Sequence, residues 1–118
     1  MSRWHAIRDE ALIDQFFENV IEIPGGCWQW QGAKNPAGYG YFNMGKSRFM
    51  MAHRYAYELF NGTIPSHLEI DHLCRNHGCV NPDHLEMVTR SENVRRGRRH
   101  GSLLPDIVQA QLEYTELP

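Results

Sequence analysis

The sequence predicts one small α+β domain, and three observations support this fold class. The chain has 118 residues, which suits a single domain with a limited hydrophobic core. Residues 10–22 carry apolar side chains at helical spacing, whereas later segments alternate like strands. Residues 67–96 show the order strand, loop, strand and helix, which predicts a ββα unit.

An amphipathic helix is predicted over residues 10–22, followed by a short strand. The helical pattern ends before Pro24, which is followed by two glycines. Residues 27–31 then alternate between aromatic and polar side chains, as a strand does. We interpret residues 1–25 as an N-terminal helical packing segment.

A β-hairpin and a second helix are predicted next. Strands over residues 38–42 and 48–51 flank a turn in which Gly45 is the expected positive-φ residue. Residues 52–60 have a helical pattern, which ends at Asn61-Gly62.

The ββα unit follows. We expect strands over residues 67–72 and 85–89, and a helix over residues 91–96 with Ser91 as its N-cap. The chain is thus predicted to form a single domain over residues 1–118, with its core at about 26–96. The remainder, residues 97–118, is predicted to be a basic and then helical tail, with a helix from Pro105 to about Tyr114.

Composition predicts a cytoplasmic protein. No apolar run approaches the roughly 20 residues needed to cross a bilayer, and the first ten residues lack the apolar core of a secretory signal. Three cysteines cannot all pair within one chain, and disulfides are rare in a reducing compartment. Metal ligation is therefore the better use for them.

The distribution of charge matters more than its sum. The net charge of −2 argues against a nucleic-acid partner, but residues 90–100 contain five arginines and a single acid, Glu92. These arginines could form a strongly positive face for contacts with a nucleic-acid backbone, although a solvated helix end would have the same composition. The arginines are Arg90, Arg95, Arg96, Arg98 and Arg99.

A zinc site is predicted from the spacing of Cys74, Cys79 and His84. Thiolate and imidazole ligands suit tetrahedral zinc, and the polar residues between the cysteines allow the chain to turn. Cys27 is the expected fourth ligand, and His77 is the competing candidate. The alternative is that the cysteines are reduced and buried as small hydrophobic residues.

A second, oxygen-rich site is predicted beside the first. Asp71 at the end of a strand and Asn93 on the following helix would face each other across a cleft, and their oxygens suit Mg²⁺. His72 lies next to Asp71, where a proton acceptor is useful near neutral pH. Alternatively, Asp71 is a turn residue and Asn93 faces solvent.

The hairpin offers two interpretations. Lys46, Ser47 and Arg48 could contact phosphates, with Asn43 or Gln31 near base edges, or the hairpin could simply pack on the core. His53 is interpreted as a buried, hydrogen-bonded scaffold residue. The tryptophans are expected in the core or over the zinc site; they are Trp4, Trp28 and Trp30.

Together these motifs resemble the HNH endonucleases of the ββα-metal (His-Me finger) fold. More specifically, the chain is similar to His-Cys box homing endonucleases and to small HNH proteins of bacteriophages. The resemblance covers about residues 26–96. The matching segments are Gly26-Cys27-Trp28-Gln29-Trp30, Gly38-Tyr39-Gly40, Ala52-His53-Arg54, Ile64-Pro65, Asp71-His72-Leu73-Cys74, the run from Cys79 to Glu86, and Thr89-Arg90-Ser91-Glu92-Asn93.

The resemblance implies a role for each of these residues. The family's structural zinc maps onto Cys27, Cys74, Cys79 and His84, and its general base maps onto His72. Asp71 and Asn93 correspond to the ligands of one catalytic Mg²⁺ or Mn²⁺ ion. The arginine at the scissile phosphate corresponds to Arg48 or, alternatively, to Arg54.

The chain departs from the family at two points. Position 84 is histidine, whereas many HNH sequences carry an asparagine there that orients the base. No cysteine follows Cys79, so the second zinc cluster of His-Cys box enzymes is absent.

The implied function is metal-dependent hydrolysis of double-stranded DNA in a bacterial host cell. One active site cuts one strand, so cleavage of both strands would require a homodimer or sequential cuts. The alternatives are a non-catalytic zinc module that binds DNA, and an accessory protein of DNA packaging that acts beside a phage terminase.

Overall fold

A computed structural model describes residues 7–99, which form a small α+β arrangement of the predicted class. The helices are α1 (Glu10–Phe17), α2 (Ala52–Asn61) and α3 (Arg90–Arg99), with a 3-10 turn at Pro82–His84. The strands are β1 (Val20–Glu22), β2 (Trp28–Trp30), β3 (Tyr41–Gly45), β4 (Arg48–Met51), β5 (Leu68–His72) and β6 (Leu85–Thr89).

The strands pair two by two. β1 pairs with β2, β3 with β4 and β5 with β6, each in the antiparallel direction. In the last pair Leu68 lies opposite Thr89 and His72 lies opposite Leu85. α3 begins directly after β6, so the predicted ββα unit is confirmed. No helix in the described range is both long and apolar enough to cross a membrane.

The N-terminal helix is shorter than predicted. Asp9 caps α1, since its Oδ1 accepts hydrogen bonds from the amides of Ala11 and Leu12, but the helix ends at Phe17. Val20–Glu22 forms a strand on β2, so the expectation of a helix to residue 22 was wrong. β-branched residues favour strands, and pairing with β2 satisfies the backbone groups that the helix would have used.

The hairpin turn follows the prediction at Gly45, whose φ is 87°. Lys46 and Ser47 also have positive φ values, of 53° and 61°, and complete the tight turn between β3 and β4.

The N-cap of α3 is Thr89, and the prediction of Ser91 was wrong. Thr89 Oγ1 accepts a hydrogen bond of 3.2 Å from the amide of Glu92. The helix therefore begins one residue before Ser91, which lies within its first turn.

The core is built from aromatic rings. The ring of Phe16 lies 5.1 Å from that of Trp30, 5.3 Å from that of Phe42 and 4.8 Å from that of Tyr55. All four side chains are almost fully buried. The indole of Trp30 also fills the space that a side chain at Gly40 would need. The expectation of a tryptophan core is thus confirmed for Trp30.

Some predicted features lie outside the described residues. These are Trp4, residues 100–118 with the predicted helix from Pro105 to Tyr114, and the side chains of Arg98 and Arg99.

Phe16 and its neighbour Phe17 offer a matched test of this core. We expect Phe16→Ala to lower the free energy of unfolding by about 3–5 kcal/mol, because a fully buried phenyl ring leaves a cavity. Phe17 is 36% exposed, so Phe17→Ala should cost less than half as much. Urea unfolding followed by circular dichroism measures both, and equal losses would contradict the assignment of Phe16 to the core.

Candidate metal cluster and candidate active site

Four side chains with sulfur or nitrogen donors meet in the interior. Cys27 precedes β2, Cys74 and Cys79 lie in the loop after β5, and His84 precedes β6. The Cys27 Sγ lies 3.4 Å from the Cys74 Sγ and 3.3 Å from the His84 Nδ1. The Cys79 Sγ lies 3.6 Å from the same nitrogen. The donor atoms of all four residues lie within 4.8 Å of one another.

Local hydrogen bonds shape the loop between β5 and β6 so that its cysteines converge. Arg75 adopts a positive φ of 62°, and the Oδ1 of Asn76 accepts a hydrogen bond from the amide of Gly78. Further along, the Asn81 Nδ2 donates to the carbonyl of Gly26, at 2.8 Å. These bonds bring the loop back to the segment that carries Cys27.

The donor set fits a metal ion. Hydrogen bonding to Cys27 lowers the pKa of the Cys74 thiol, whereas hydrogen bonding within the cluster raises the pKa values of Cys27 and Cys79. Three thiolates and an imidazole are the ligands that tetrahedral zinc accepts. The four residues could hold a metal ion such as zinc.

Cys27, and not His77, completes this cluster. The Nδ1 of His77 lies 2.9 Å from the carbonyl oxygen of Ala37 and therefore donates to it. The His77 ring stacks on Tyr39 with a centroid distance of 4.3 Å and an interplanar angle of 8°.

A second site is a cleft of about 190 Å³ beside the end of β5. It lies between this strand, the loop that follows it and α3. Three residues predicted from the sequence, Asp71, His72 and Asn93, line it together. The other lining residues are Tyr39, Ile70, Arg75 and His77.

Asp71 is buried and is held by two arginines. Only 4% of Asp71 is exposed. Arg75 donates to both of its oxygens at 3.2 Å, in a two-pronged ion pair. The Nη1 of Arg96 donates to the Oδ2 at 3.1 Å. Two guanidinium groups therefore supply the positive charge that a buried carboxylate requires.

The orientation of His72 is set by a backbone carbonyl. Its Nε2 lies 3.1 Å from the carbonyl oxygen of Cys79, and because a carbonyl can only accept, Nε2 carries the proton. No hydrogen bond within residues 7–99 occupies Nδ1, which is left to accept a proton. Burial lowers the pKa of His72 to about 4, so the imidazole is neutral near pH 7.

Asn93 reaches the cleft from α3. Its Nδ2 donates to the Oε1 of Glu69 at 2.9 Å, which holds the amide group across from β5. Because the nitrogen is the donor in this bond, the amide oxygen remains as an acceptor or metal ligand.

His53 lies directly behind His72. It is buried as predicted, whereas its Nδ1 has no hydrogen-bond partner among the described residues. The His53 ring lies 4.6 Å from the His72 ring and 5.5 Å from that of Tyr39. Burial, followed by the charge of His72, lowers the pKa of His53 to about 2.

The candidate phosphate-binding arginines occupy different places. Arg48 lies at the start of β4 and lines a separate surface hollow with Tyr41 and Phe49, not the cleft of His72. Arg54 lies on α2 next to His53, and its positive charge contributes to the lowered pKa of that histidine.

The predicted basic surface on α3 is partly neutralised. Arg90 is 84% exposed and lies 3.6 Å from a Glu69 oxygen, and Arg95 is 56% exposed and pairs with Glu92 at 3.0 Å. Arg96 is the most constrained, since its guanidinium contacts Glu86 and Glu92 in addition to Asp71. Lys46 is exposed at the hairpin turn.

Four residues that line the cleft were not predicted from the sequence: Arg75, Tyr39, Ile70 and His77. Arg75 follows Asp71 by four residues, a spacing that signals an ion pair on a helix but not in a loop. The positive φ of Arg75, which the sequence does not reveal, turns the chain so that the pair can form.

Known proteins resemble this chain over the segment that contains the ββα unit. A model of the family described as HNH endonuclease matches residues 50–95, which contain β5, the metal-cluster loop, β6 and the first part of α3. No solved structure matches the chain.

Several proteins of bacteriophages are similar to the chain. "Protein 2.8" of Escherichia phage T7 is 34% identical over 114 residues, which cover 89% of this chain and 77% of that protein. The "Uncharacterized gene 5.3 protein" of Enterobacteria phage T3 is 33% identical over 89 residues, which cover 70% and 88%. "Protein 7.7" of phage T7 is 32% identical over 77 residues, which cover 62% and 58%.

The ββα unit, the Cys₃His cluster, the cleft at His72 and the match of the family model to the same segment agree with one another. Residues 50–95 therefore form a domain of the HNH endonuclease family, in a chain whose relatives include small bacteriophage proteins.

Proposed function

We propose that the protein is a divalent-metal-dependent endonuclease that hydrolyses phosphodiester bonds of double-stranded DNA. The observation that carries the proposal is the cleft in which Asp71, His72 and Asn93 meet. His72 provides a proton acceptor, and Asp71 and Asn93 provide a carboxylate and an amide oxygen beside it. A general base and a metal ion held by oxygen ligands are a combination that can hydrolyse a phosphodiester.

His72 is the proposed general base. Its Nε2 proton is held by the carbonyl of Cys79, which leaves Nδ1 to take a proton from a water molecule. The water oxygen then bonds to phosphorus, and the bond from phosphorus to the 3′ oxygen breaks. The products are a 5′-phosphate and, after the leaving oxygen gains a proton from solvent, a 3′-hydroxyl.

Asp71 and Asn93 are the proposed holders of the catalytic ion. A buried carboxylate and an amide oxygen are hard ligands of the kind that Mg²⁺ and Mn²⁺ prefer. A divalent ion bound there would stabilise negative charge on the phosphate oxygens. In its absence, the arginines on Asp71 provide the compensating charge.

The Cys₃His cluster is the proposed structural zinc site. It joins Cys27 to Cys74 across 47 positions of sequence, and its three cysteines are buried. Closing so long a loop with a metal stabilises a domain whose hydrophobic core is small.

DNA contacts are proposed for the basic residues of α3 and of the hairpin. Arg90 and Arg95 are the exposed arginines of α3 whose side chains are described, and Arg98 and Arg99 extend the same sequence run. Lys46 and Arg48 are exposed on the hairpin. Arg54 is the alternative to Arg48 for a role near the reacting phosphate. The homodimer, the terminase partner and the homing role stay predictions from the sequence.

A plasmid assay tests the activity. Zinc-loaded protein is expected to nick supercoiled DNA with Mg²⁺ or Mn²⁺, and nicking should stop when the divalent ion is withheld or chelated. Circular dichroism with each ion condition shows that the protein stays folded. Retarded but intact DNA under all conditions would instead support the non-catalytic DNA-binding alternative.

His72→Ala should reduce the nicking rate by about 10²–10⁴-fold, the usual share of a general base. Zinc content should remain at the wild-type level, because the His72 side chain is not a member of the cluster. His67→Ala is the matched control, since this exposed histidine lies before β5 and does not line the cleft. Loss of zinc in His72→Ala would instead indicate that His72 is a ligand of the structural zinc.

Cys79→Ser should lose zinc and unfold the domain, because metal-binding energy in such a site is folding energy. Metal analysis and thermal unfolding by circular dichroism measure both effects. His77→Ala is the control and should keep its zinc, since His77 lies outside the cluster. A folded Cys79→Ser protein with full zinc content would overturn the assignment.

A further inference from the structure

We propose that Arg75 is the arginine that binds the scissile phosphate, and that a divalent ion at Asp71 releases it for this contact. The inference rests on the proposed function, since it assigns a further residue to the same cleft. Arg75 lines the cleft together with His72 and Asn93, whereas Arg48 does not.

The two oxygens of Asp71 already face two guanidinium groups. Arg75 occupies both of its oxygens, and Arg96 shares the Oδ2. A divalent ion bound to Asp71 would compete for the same lone pairs and would repel both guanidinium groups at short range. At least one arginine must therefore move when the ion binds.

Arg96 is the arginine that stays. Its Nη2 donates to Glu86 at 2.6 Å and its Nε donates to Glu92 at 3.1 Å, so two further carboxylates hold it if the contact with Asp71 is lost. Arg96 also does not line the cleft.

Arg75 is the arginine that is free to change partner. Asp71 is the carboxylate to which Arg75 is paired, and the Nε of Arg75 is buried without a hydrogen-bond partner among the described residues. When Asp71 turns to an ion, a guanidinium already lining the cleft is left without an acceptor. A phosphate oxygen in the cleft would provide one, in the two-pronged geometry that arginine favours.

This change of partner by Arg75 would couple the binding of the ion to the binding of DNA. Asp71 would give up its hydrogen bonds from Arg75 on holding an ion, and the released guanidinium of Arg75 would donate to phosphate oxygens. By thermodynamic reciprocity each ligand then strengthens the binding of the other. Arg75 thus shields Asp71 when the cleft holds neither ligand.

Arg75→Gln separates the two roles of this arginine. Titration calorimetry of the zinc-loaded protein without DNA should show Mn²⁺ bound at least about fivefold more tightly than in the wild type, because the competitor for Asp71 is gone. The nicking rate should nevertheless fall about 10²-fold, because the phosphate loses its donor. The opposite signs of these changes distinguish the exchange from simple damage.

Arg8→Gln is the matched control, because it also removes one arginine but at a place where the side chain donates to the carbonyl of Leu59. Both its Mn²⁺ affinity and its nicking rate should equal those of the wild type. Ca²⁺ should strengthen binding of a short duplex to the wild type and to Arg8→Gln, and should do so much less for Arg75→Gln.

Arg75→Lys covers the case in which the glutamine variant loses its zinc or its fold. Lysine keeps a positive charge beside Asp71, so Mn²⁺ affinity should stay near that of the wild type. It lacks the paired N–H donors of a guanidinium group, so the nicking rate should fall at least about tenfold.

Two results would overturn the inference: Mn²⁺ affinity that does not rise in folded Arg75→Gln, or wild-type nicking in either folded Arg75 variant. If the wild type itself nicks DNA with no ion, the proposed function fails instead. The calorimetric titration then still decides whether Arg75 competes for Asp71.

Discussion

The carbonyl of Cys79 connects the metal cluster to the candidate base. Cys79 contributes its sulfur to the Cys₃His cluster and its backbone oxygen to the Nε2 of His72. The orientation of the imidazole therefore depends on the position of a loop that has no regular secondary structure. Backbone bonds fasten that loop to β2, since the amide of Trp30 donates to Gly78 and the amide of Val80 donates to Trp28. The cluster adds a link through side chains at the same place.

The electrostatic environment of the cleft is set by a few neighbouring side chains and not by the net charge of the chain. A net charge of −2 describes the whole chain, but Asp71 is buried under two guanidinium groups, and one of these is shared with Glu86 and Glu92. In a buried site such paired charges interact far more strongly than exposed ones. The cleft can therefore favour cations at Asp71 and anions at the arginines without a strongly basic surface.

Four histidines in and around the two candidate sites lie in different environments. His72 and His53 lie 4.6 Å apart between ring centroids, and burial lowers the pKa of both. His72 has a backbone acceptor for its proton, whereas His53 packs against it without such a partner for its Nδ1 in the described part of the chain. His84 joins the sulfur cluster, and His77 stacks on Tyr39.

The fold class, the ββα order and most strands follow from periodicity, because local patterns record which face of an element is buried. The predictions that were wrong concern positions where tertiary contacts compete with local conformational preference. Val20 and Ile21 fit the helical pattern but pair with β2, and Thr89, rather than Ser91, caps α3 because β6 ends there. The tail helix predicted after Pro105 falls outside the described residues.

By itself the sequence identified the candidate residues of both sites: the spacing of Cys74, Cys79 and His84, and the order of Asp71, His72 and Asn93, are properties of the chain alone. Only the tertiary structure decided between Cys27 and His77, and only it brought Arg75 onto Asp71. The physical reason is that these choices join segments through space and through a left-handed backbone turn, and neither leaves a periodic signal in the sequence.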